Sequence, residues 1–122
     1  MTTYPCVQTS VDGETHFQDI AVPMTPTVFV PGIPLVDVAE PHPVSALTFA
    51  RVEAGYTSDW HPPPRRQFVL IVSGGLELTV TDGEVRSFGP GSIFLVEDTT
   101  GNGHQTRAMG TEDCVFVAVA CA

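Results

Sequence analysis

The side chains best suited to chemistry lie in two stretches of the sequence, residues 59–67 and 97–104. His61 lies in the first stretch and His104 ends the second, and an imidazole is a ligand that Zn, Fe, Ni and Cu all accept. Gln67 ends the first stretch, and its amide oxygen is a neutral and weaker ligand than a carboxylate. Two imidazoles and one amide would leave coordination positions open for water or substrate. The competing interpretation is that a histidine near a strand end is only a surface or hydrogen-bonded residue.

Charged and aromatic residues accompany these histidines. Arg65 and Arg66 are adjacent, so strand alternation turns them to opposite sides, and whichever faces the pocket could grip a carboxylate or enolate with two hydrogen bonds. Glu97 could act as a general base if burial raised its pKa, whereas for Asp98 we favour a polar turn whose side chain bonds its own backbone. Trp60 could form a wall for a flat ligand and is equally suited to a core or an interface. Arg65 and Glu97 are therefore the catalytic candidates, and Trp60 and Arg66 the pocket candidates.

Short strands must position these side chains. Eleven glycines and eleven prolines divide the chain into short segments rich in Val, Ile, Phe and Thr, and no segment of helical length has a 3.6-residue period. Asp82-Gly83 between two strand-like runs predicts a two-residue hairpin turn. Gln67 opens an almost wholly apolar run, which predicts a central strand covered on both faces. We predict strands at residues 15–20, 45–53, 67–72, 76–81, 84–88, 92–96, 104–109 and 114–120. Eight or nine such strands with frequent turns indicate a sandwich or a closed barrel.

The length of 122 residues predicts one domain over 1–122. Within it, we expect residues 1–44 to form extended strands and proline-rich loops that pack on or between barrels, with 23–34 irregular or at a sheet edge. His16 falls in a predicted strand, on the face opposite Phe17, and we expect it to be exposed. His42 lies between two prolines and is expected in a loop.

The charge balance excludes two classes of function. The formal net charge is −9, with fourteen acidic residues against five arginines and no lysine. A nucleic-acid or anionic-membrane partner is not expected, because binding to either needs a cationic surface. Schiff-base and pyridoxal chemistry are excluded as well, because both require a lysine amine.

The three cysteines form no Cys-x-x-Cys pair, which predicts reduced thiols in a cytoplasmic protein. We expect Cys114 in a core strand, and Cys6 and Cys121 near frayed termini. No basic segment followed by an apolar stretch opens the chain, so no signal peptide is expected. No apolar run approaches the roughly 20 residues that a membrane span requires.

Residues 55–104 resemble the two signature motifs of the cupin superfamily. The first motif begins at Gly55, which is followed after five residues by His61. Pro63 stands where the family has a second histidine, and Gln67 replaces the family's glutamate. The spacing of the motif therefore fits, but two of its three usual ligands are changed.

The second motif begins at Gly91. Glu97 and Thr99 stand where the family has proline and glycine, and Asn102 occupies the nominal histidine position. His104 follows two residues later, which indicates a two-residue insertion before the ligand strand.

The whole chain also looks like small bacterial cupins of unassigned function, through residues 12–20, 59–67 and 97–104. The resemblance implies an all-β fold with a single cupin barrel, a double-stranded β-helix or jelly roll. It implies a divalent metal, Zn, Fe, Mn or Ni, held inside the barrel by His61, Gln67 and His104. It also implies a homodimer joined through exchanged edge strands, to which the proline-rich segment and the last strand could contribute.

Two functions stay open at this point. The first is an enzyme acting on a small organic molecule as an oxygenase, isomerase, cyclase, decarboxylase or lyase, as the resemblance implies. The second is a non-catalytic barrel that binds or senses a small metabolite without metal, which the altered motif favours. A carboxylate in the pocket would favour the enzyme, and Glu97 is the candidate for it.

Overall fold

The computed structural model describes residues 3–122, and within this range the chain forms eleven β-strands and no helix. The prediction of an all-β fold is therefore confirmed. The strands are β1 (Thr3–Thr9), β2 (Thr15–Ala21), β3 (Thr25–Thr27), β4 (Val36–Val38), β5 (Val44–Val52), β6 (Gln67–Ser73), β7 (Leu76–Thr79), β8 (Val85–Phe88), β9 (Ile93–Val96), β10 (Gln105–Ala108) and β11 (Cys114–Cys121).

The strands form a six-stranded, a three-stranded and a two-stranded sheet. The six-stranded sheet has the order β2-β1-β9-β6-β11-β5, the three-stranded sheet the order β10-β7-β8, and β3 pairs with β4. The pair β1–β9 is parallel and the other named pairs are antiparallel. No ladder between the named strands joins the larger sheets into a closed cylinder in the described part of the chain.

The main core fills the space between the two larger sheets. Val7 and Phe94 from the six-stranded sheet pack in one cluster with Leu78 and the adjoining Val80 from the other sheet, and all four are buried. Each such side chain contributes about 1.5–3 kcal/mol when it is removed from water. A smaller cluster covers part of the opposite face of the six-stranded sheet. This second cluster consists of Tyr4, Cys6, Phe68 and Leu95.

The β6 strand lies inside its sheet, between β9 and β11, so its predicted central position is confirmed. The predicted cover on both faces is wrong. Val69 and Ile71 face the main core and are buried, whereas Leu70 and Val72 on the other face are exposed, Val72 by 56%. An apolar run therefore marked a strand that is covered on one face at Val69 and Ile71, and on the other face only at its start.

The hairpin between β7 and β8 has a three-residue loop instead of the predicted two-residue turn. The Val80 amide donates to the Glu84 carbonyl, and the Gly83 amide donates back to Val80. A two-residue type I′ turn needs positive φ at both central residues, and of Asp82-Gly83 only Gly83 has it, at 95°. Asp82 instead accepts a hydrogen bond from the Glu84 amide and closes the loop as an Asx turn.

The segment between β2 and β6 is the least covered part of the fold. The short strands β3 and β4 pair only with each other, in agreement with the expectation for 23–34. The long strand β5 is an edge of the six-stranded sheet, and Phe49 on it is 77% exposed. The exposed apolar side chains therefore concentrate on β5 and on the loop between β3 and β4.

The cysteines lie within strands and are free thiols. Cys114 is buried in the main core, as predicted. Cys6 is also buried, in β1, so the expectation that it lies near a frayed terminus is wrong. None of the described residues forms a helix that is long and apolar enough to cross a membrane.

Candidate functional site

One cavity of about 140 Å³ opens into the space between the two larger sheets. Polar side chains line part of it, namely Tyr56, His61, Gln67, His104 and Thr106. Apolar side chains form the rest of its wall, including Val52, Val69, Leu78, Phe94 and Phe116. The three residues predicted as ligands are thus brought together in one cavity, and among residues 3–122 no Arg, Asp or Glu side chain lines it.

The segment before β6 runs along the outer edge of β10 and places His61. The Ala108 amide donates to the Tyr56 carbonyl at 2.9 Å, and the Ser58 amide donates to the Thr106 carbonyl at the same distance. Three consecutive prolines follow His61, and because they have no N–H, the ladder cannot continue past it. The chain therefore leaves β10 at this histidine and turns towards β6.

His61 and His104 face each other across an isolated antiparallel bridge. Each backbone amide donates to the carbonyl of the other residue at 3.0 Å, and the ring centroids are 5.1 Å apart. Gly103 makes this approach possible, because a Cβ at this position would overlap the backbone of His61. Its φ of 72° lies in the left-handed region that favours glycine.

Hydrogen bonds fix the same tautomer in both rings. Nδ1 of His61 lies 2.7 Å from the carbonyl oxygen of Asp59, which can only accept, so this nitrogen carries the proton. Nδ1 of His104 lies 2.7 Å from Oδ2 of Asp98, and a carboxylate accepts in the same way. In the neutral form of each ring, Nε2 is therefore the nitrogen with the free lone pair, and this is the form that binds a metal.

Asp98 is completely buried, and its role was missed by the sequence interpretation. The expectation that its side chain bonds its own backbone is wrong, since Oδ2 accepts from His104 and Oδ1 has no hydrogen-bond partner among the described residues. The signal for its position was the period-2 alternation of β9. Phe94 and Val96 face the main core, and Asp98 continues the same face two residues later.

A divalent ion in this cavity would have imidazole nitrogen and amide oxygen as its protein donors. Within residues 3–122, no three His, Cys, Asp or Glu side chains lie close enough to hold a metal together. The third donor from the protein would therefore be Gln67, which lines the same cavity as the two histidines. Asp98 behind His104 completes the carboxylate–histidine arrangement that commonly supports metal-binding imidazoles.

Glu97 and Arg66 lie outside the lining of the cavity, paired with each other. Nε of Arg66 donates to Oε2 of Glu97 at 2.9 Å, and Nε2 of Gln8 donates to Oε1 at 3.0 Å. Burial alone would raise the pKa of Glu97, but hydrogen bonds from Arg66, Cys6 and Gln8 outweigh it and lower that pKa. Burial, with the nearby Glu97 carboxylate, raises the pKa of the Cys6 thiol to about 12. The condition for Glu97 as a base, a raised pKa, is therefore not met.

The remaining candidates lie apart from the two histidines. Arg65 is exposed and does not line the cavity. Trp60 is 45% exposed and lines a separate surface depression with Asn102. His16 is only half-buried and bonds Ser10, so it is less exposed than expected, and His42 is in a loop as predicted.

The family model described as "Cupin domain" matches residues 48–120. A search of curated protein sequences gave no match.

Two solved structures are similar in fold to this chain. A sugar phosphate isomerase from a cupin superfamily, from Silicibacter pomeroyi, has a TM-score of 0.50 and 23% identity, over 62% of this chain and 49% of the other. The Cnp3 cupin domain of Schizosaccharomyces pombe has a TM-score of 0.51 and 15% identity, over 100% of this chain and 86% of the other. The match thus spans about half the length of the isomerase, and at these identities both structures indicate the fold alone.

Proposed function

The chain belongs to the cupin superfamily, and we propose that it binds a divalent metal ion, Zn, Fe, Mn or Ni, through His61, Gln67 and His104. We further propose that it acts on a small organic molecule in the same cavity, by a reaction of the oxygenase, isomerase, cyclase or lyase type. At 140 Å³, the cavity is close to the size of an engineered cavity that holds benzene, about 150 Å³.

One observation carries the proposal. In both imidazoles that line the cavity, Nδ1 lies 2.7 Å from a hydrogen-bond acceptor, so the neutral ring has its free lone pair on Nε2. Histidines that bind metals commonly donate their other ring N–H to a carbonyl or a carboxylate in this way. Two such rings with centroids 5.1 Å apart are close enough to share one ligand.

The residues around the cavity would have different roles in this function. A bound dication would supply Lewis-acid polarisation of an oxygen on the substrate. Asp98 holds the ring of His104 in orientation, and the backbone bridge holds His61 opposite it. Tyr56 and Thr106 offer hydroxyl groups to a polar substituent, and the apolar wall keeps water from the rest of the ligand.

Thermal denaturation with added metal tests the proposal. We expect Zn²⁺, Mn²⁺ or Ni²⁺ to raise the Tm of the metal-free protein, because a ligand that binds only the folded state stabilises it. His61→Ala and His104→Ala should each remove the shift. His16→Ala is the matched control, since His16 lies outside the cavity, and it should retain the shift. Equal shifts in all four proteins would reject the proposal.

The alternative function is a binding or sensing cupin that works without metal. The observation that favours it is the absence of a lining carboxylate in the described residues, because Glu97 pairs with Arg66 outside the cavity. A small organic ligand that raises the Tm equally with and without metal would support this alternative.

We propose in addition that two copies of the chain form a homodimer. The support is the exposed edge strand β5 with Leu47 and Phe49, together with the exposed apolar residues Phe29 and Leu35 between β3 and β4. Exposed apolar edges of this kind are commonly covered by another chain. Light scattering at micromolar concentration should give twice the mass of one chain, and a monomer mass would reject the dimer.

A cytoplasmic location is also proposed. Its support is that all three cysteines are free thiols, which is typical of a reducing compartment. Fractionation of the host cell should recover the protein with cytoplasmic markers, and recovery with secreted proteins would reject this location.

A further inference from the structure

A buried hydroxyl group outside the cavity bonds to the peptide next to His104. We propose that Thr15, at the start of β2, is a positioning residue that fixes the Gly103–His104 peptide and, through it, the His104 imidazole. The inference rests on the proposed metal site, because His104 is one of its three ligands. Thr15 lies outside residues 48–120, so the family motifs assign it no role.

The first step is the direction of the Thr15 hydroxyl. Thr15 is almost completely buried, with 1% of its surface exposed. Its hydroxyl donates to the Gly103 carbonyl at 2.8 Å and accepts from the Thr81 amide at 3.0 Å. A hydroxyl has one proton, and the Gly103 carbonyl is nearer to it than Oγ1 of Thr81, at 3.4 Å. The Thr15 amide donates to that same Oγ1 at 2.6 Å, so the pair of threonines aims the hydroxyl at Gly103.

The second step is the peptide between Gly103 and His104, which is held at both ends. Its carbonyl accepts from Thr15, and its N–H, which belongs to His104, donates to the His61 carbonyl at 3.0 Å. Glycine tolerates many combinations of φ and ψ, so this peptide could otherwise rotate at little cost. Rotation would turn the His104 amide away from His61 and change the backbone that carries the imidazole. The bond from Thr15 opposes this rotation.

The third step is the turn between β1 and β2, residues 10–14, which supports the same loop. The Asn102 amide donates to the Gly13 carbonyl at 3.0 Å. A Cβ at Gly101 would lie 2.6 Å from the Gly13 carbonyl oxygen, which is closer than van der Waals contact allows. The loop before His104 therefore packs directly on this turn. Thr15 follows the turn, and its buried side chain reaches the peptide that carries the proposed ligand.

Zinc competition with a chelator measures the effect on the proposed site. Thr15→Val nearly keeps the shape of the side chain but removes the hydroxyl, and we expect zinc affinity to fall about tenfold. Thr15→Ser retains the hydroxyl and should retain most of the wild-type affinity. Thr9→Val is the matched control, because it removes an exposed hydrogen bond of 2.9 Å to the Thr100 carbonyl in the same loop, and it should leave zinc affinity unchanged. Equal losses in both valine variants, or no rescue by serine, would overturn the inference.

Hydrogen exchange measured by NMR on the metal-free protein tests the positioning role without zinc. In Thr15→Val, the His104 amide should exchange at least about tenfold faster than in the wild type, and Thr15→Ser should restore the rate. The Ala108 amide, which donates to the Tyr56 carbonyl at the far end of β10, should keep its rate in all three proteins. Equal acceleration of both amides would indicate a general loss of stability and would overturn the inference.

The wild-type protein supplies a measurement that requires no variant to fold. The Thr15 hydroxyl proton should exchange with water slowly enough to be observed by NMR, because it is buried and hydrogen-bonded, and fast exchange would overturn the inference.

Zinc binding separates the two proposals. If zinc binds and the Thr15 variants match the wild type, the metal site stands and the role of Thr15 is wrong. If the wild-type protein binds none of the proposed dications but the exchange rates are as expected, the metal proposal is wrong and Thr15 still holds the peptide.

Discussion

Replacing Gly103 by alanine tests whether the backbone approach at the two histidines is needed. Gly103 has a φ of 72°, which costs a residue with a Cβ about 1–2 kcal/mol. The added Cβ would also overlap the backbone of His61, and relief of such overpacking costs about 1–3 kcal/mol. We therefore expect the free energy of unfolding to fall by about 2–5 kcal/mol. For a domain of this size, each kcal/mol corresponds to about 4 °C in Tm.

Gly110→Ala is the matched control for this substitution. Gly110 has a φ of 65°, but a Cβ there would have no atom within 4 Å. The control should lose only the 1–2 kcal/mol of backbone strain. Thermal and urea denaturation measure both variants, and a zinc competition assay should show a loss of affinity only in Gly103→Ala. Equal destabilisation of the two variants with unchanged zinc affinity would refute the reasoning.

Three further predictions concern buried polar and thiol groups. Asp98→Asn should lower metal affinity about 10–100-fold, because the carboxylate orients His104. A chelator competition assay measures this, and unchanged affinity would argue against that role. Glu97 has a lowered pKa in the folded protein, so its ionised form stabilises the fold above its ordinary pKa of 4.5, and this stability is lost as the pH falls through the lowered value. The Tm of the wild type should therefore fall more steeply than that of Glu97→Gln between about pH 5 and pH 3, and parallel curves would contradict this sign. Burial raises the pKa of Cys6 to about 12, so Cys6 should resist iodoacetamide in the native state at pH 8. Cys121 is only partly buried and should react first. Mass spectrometry of the labelled peptides measures both reactions, and faster labelling of Cys6 would contradict its burial.

The fold was largely predictable from local patterns. Strand periodicity and the spacing of glycine and proline placed strands at β2 and β5 to β11 within a few residues. The short strands β3 and β4 were not predicted individually, because three-residue strands carry too little alternation. The position of the Asp82-Gly83 turn was predicted correctly, but the predicted two-residue turn type was wrong. The φ of Asp82 is negative, and a local sequence motif does not determine that angle.

The grouping of the three candidate ligands in one cavity was predictable because a motif fixed their spacing. His61, Gln67 and His104 do line one cavity, although His104 needed an inferred insertion in the loop. The charged residues were harder, because their orientation depends on which face of β9 each occupies. Glu97 and Asp98 are adjacent, and the alternation of β9 turns the first to Arg66 and the second to His104. Neither residue therefore has its expected role, since Glu97 pairs with Arg66 outside the cavity and Asp98 supports His104.

The measurement that tests the central claim most directly is the metal content of untagged protein purified without chelators, by elemental mass spectrometry. The account predicts near-stoichiometric divalent metal in the wild-type protein and in His16→Ala. It predicts loss of the metal in the double variant His61→Ala with His104→Ala. The same metal content in the double variant, or none in the wild type after dialysis against Zn²⁺, Mn²⁺, Fe²⁺ and Ni²⁺, would contradict it.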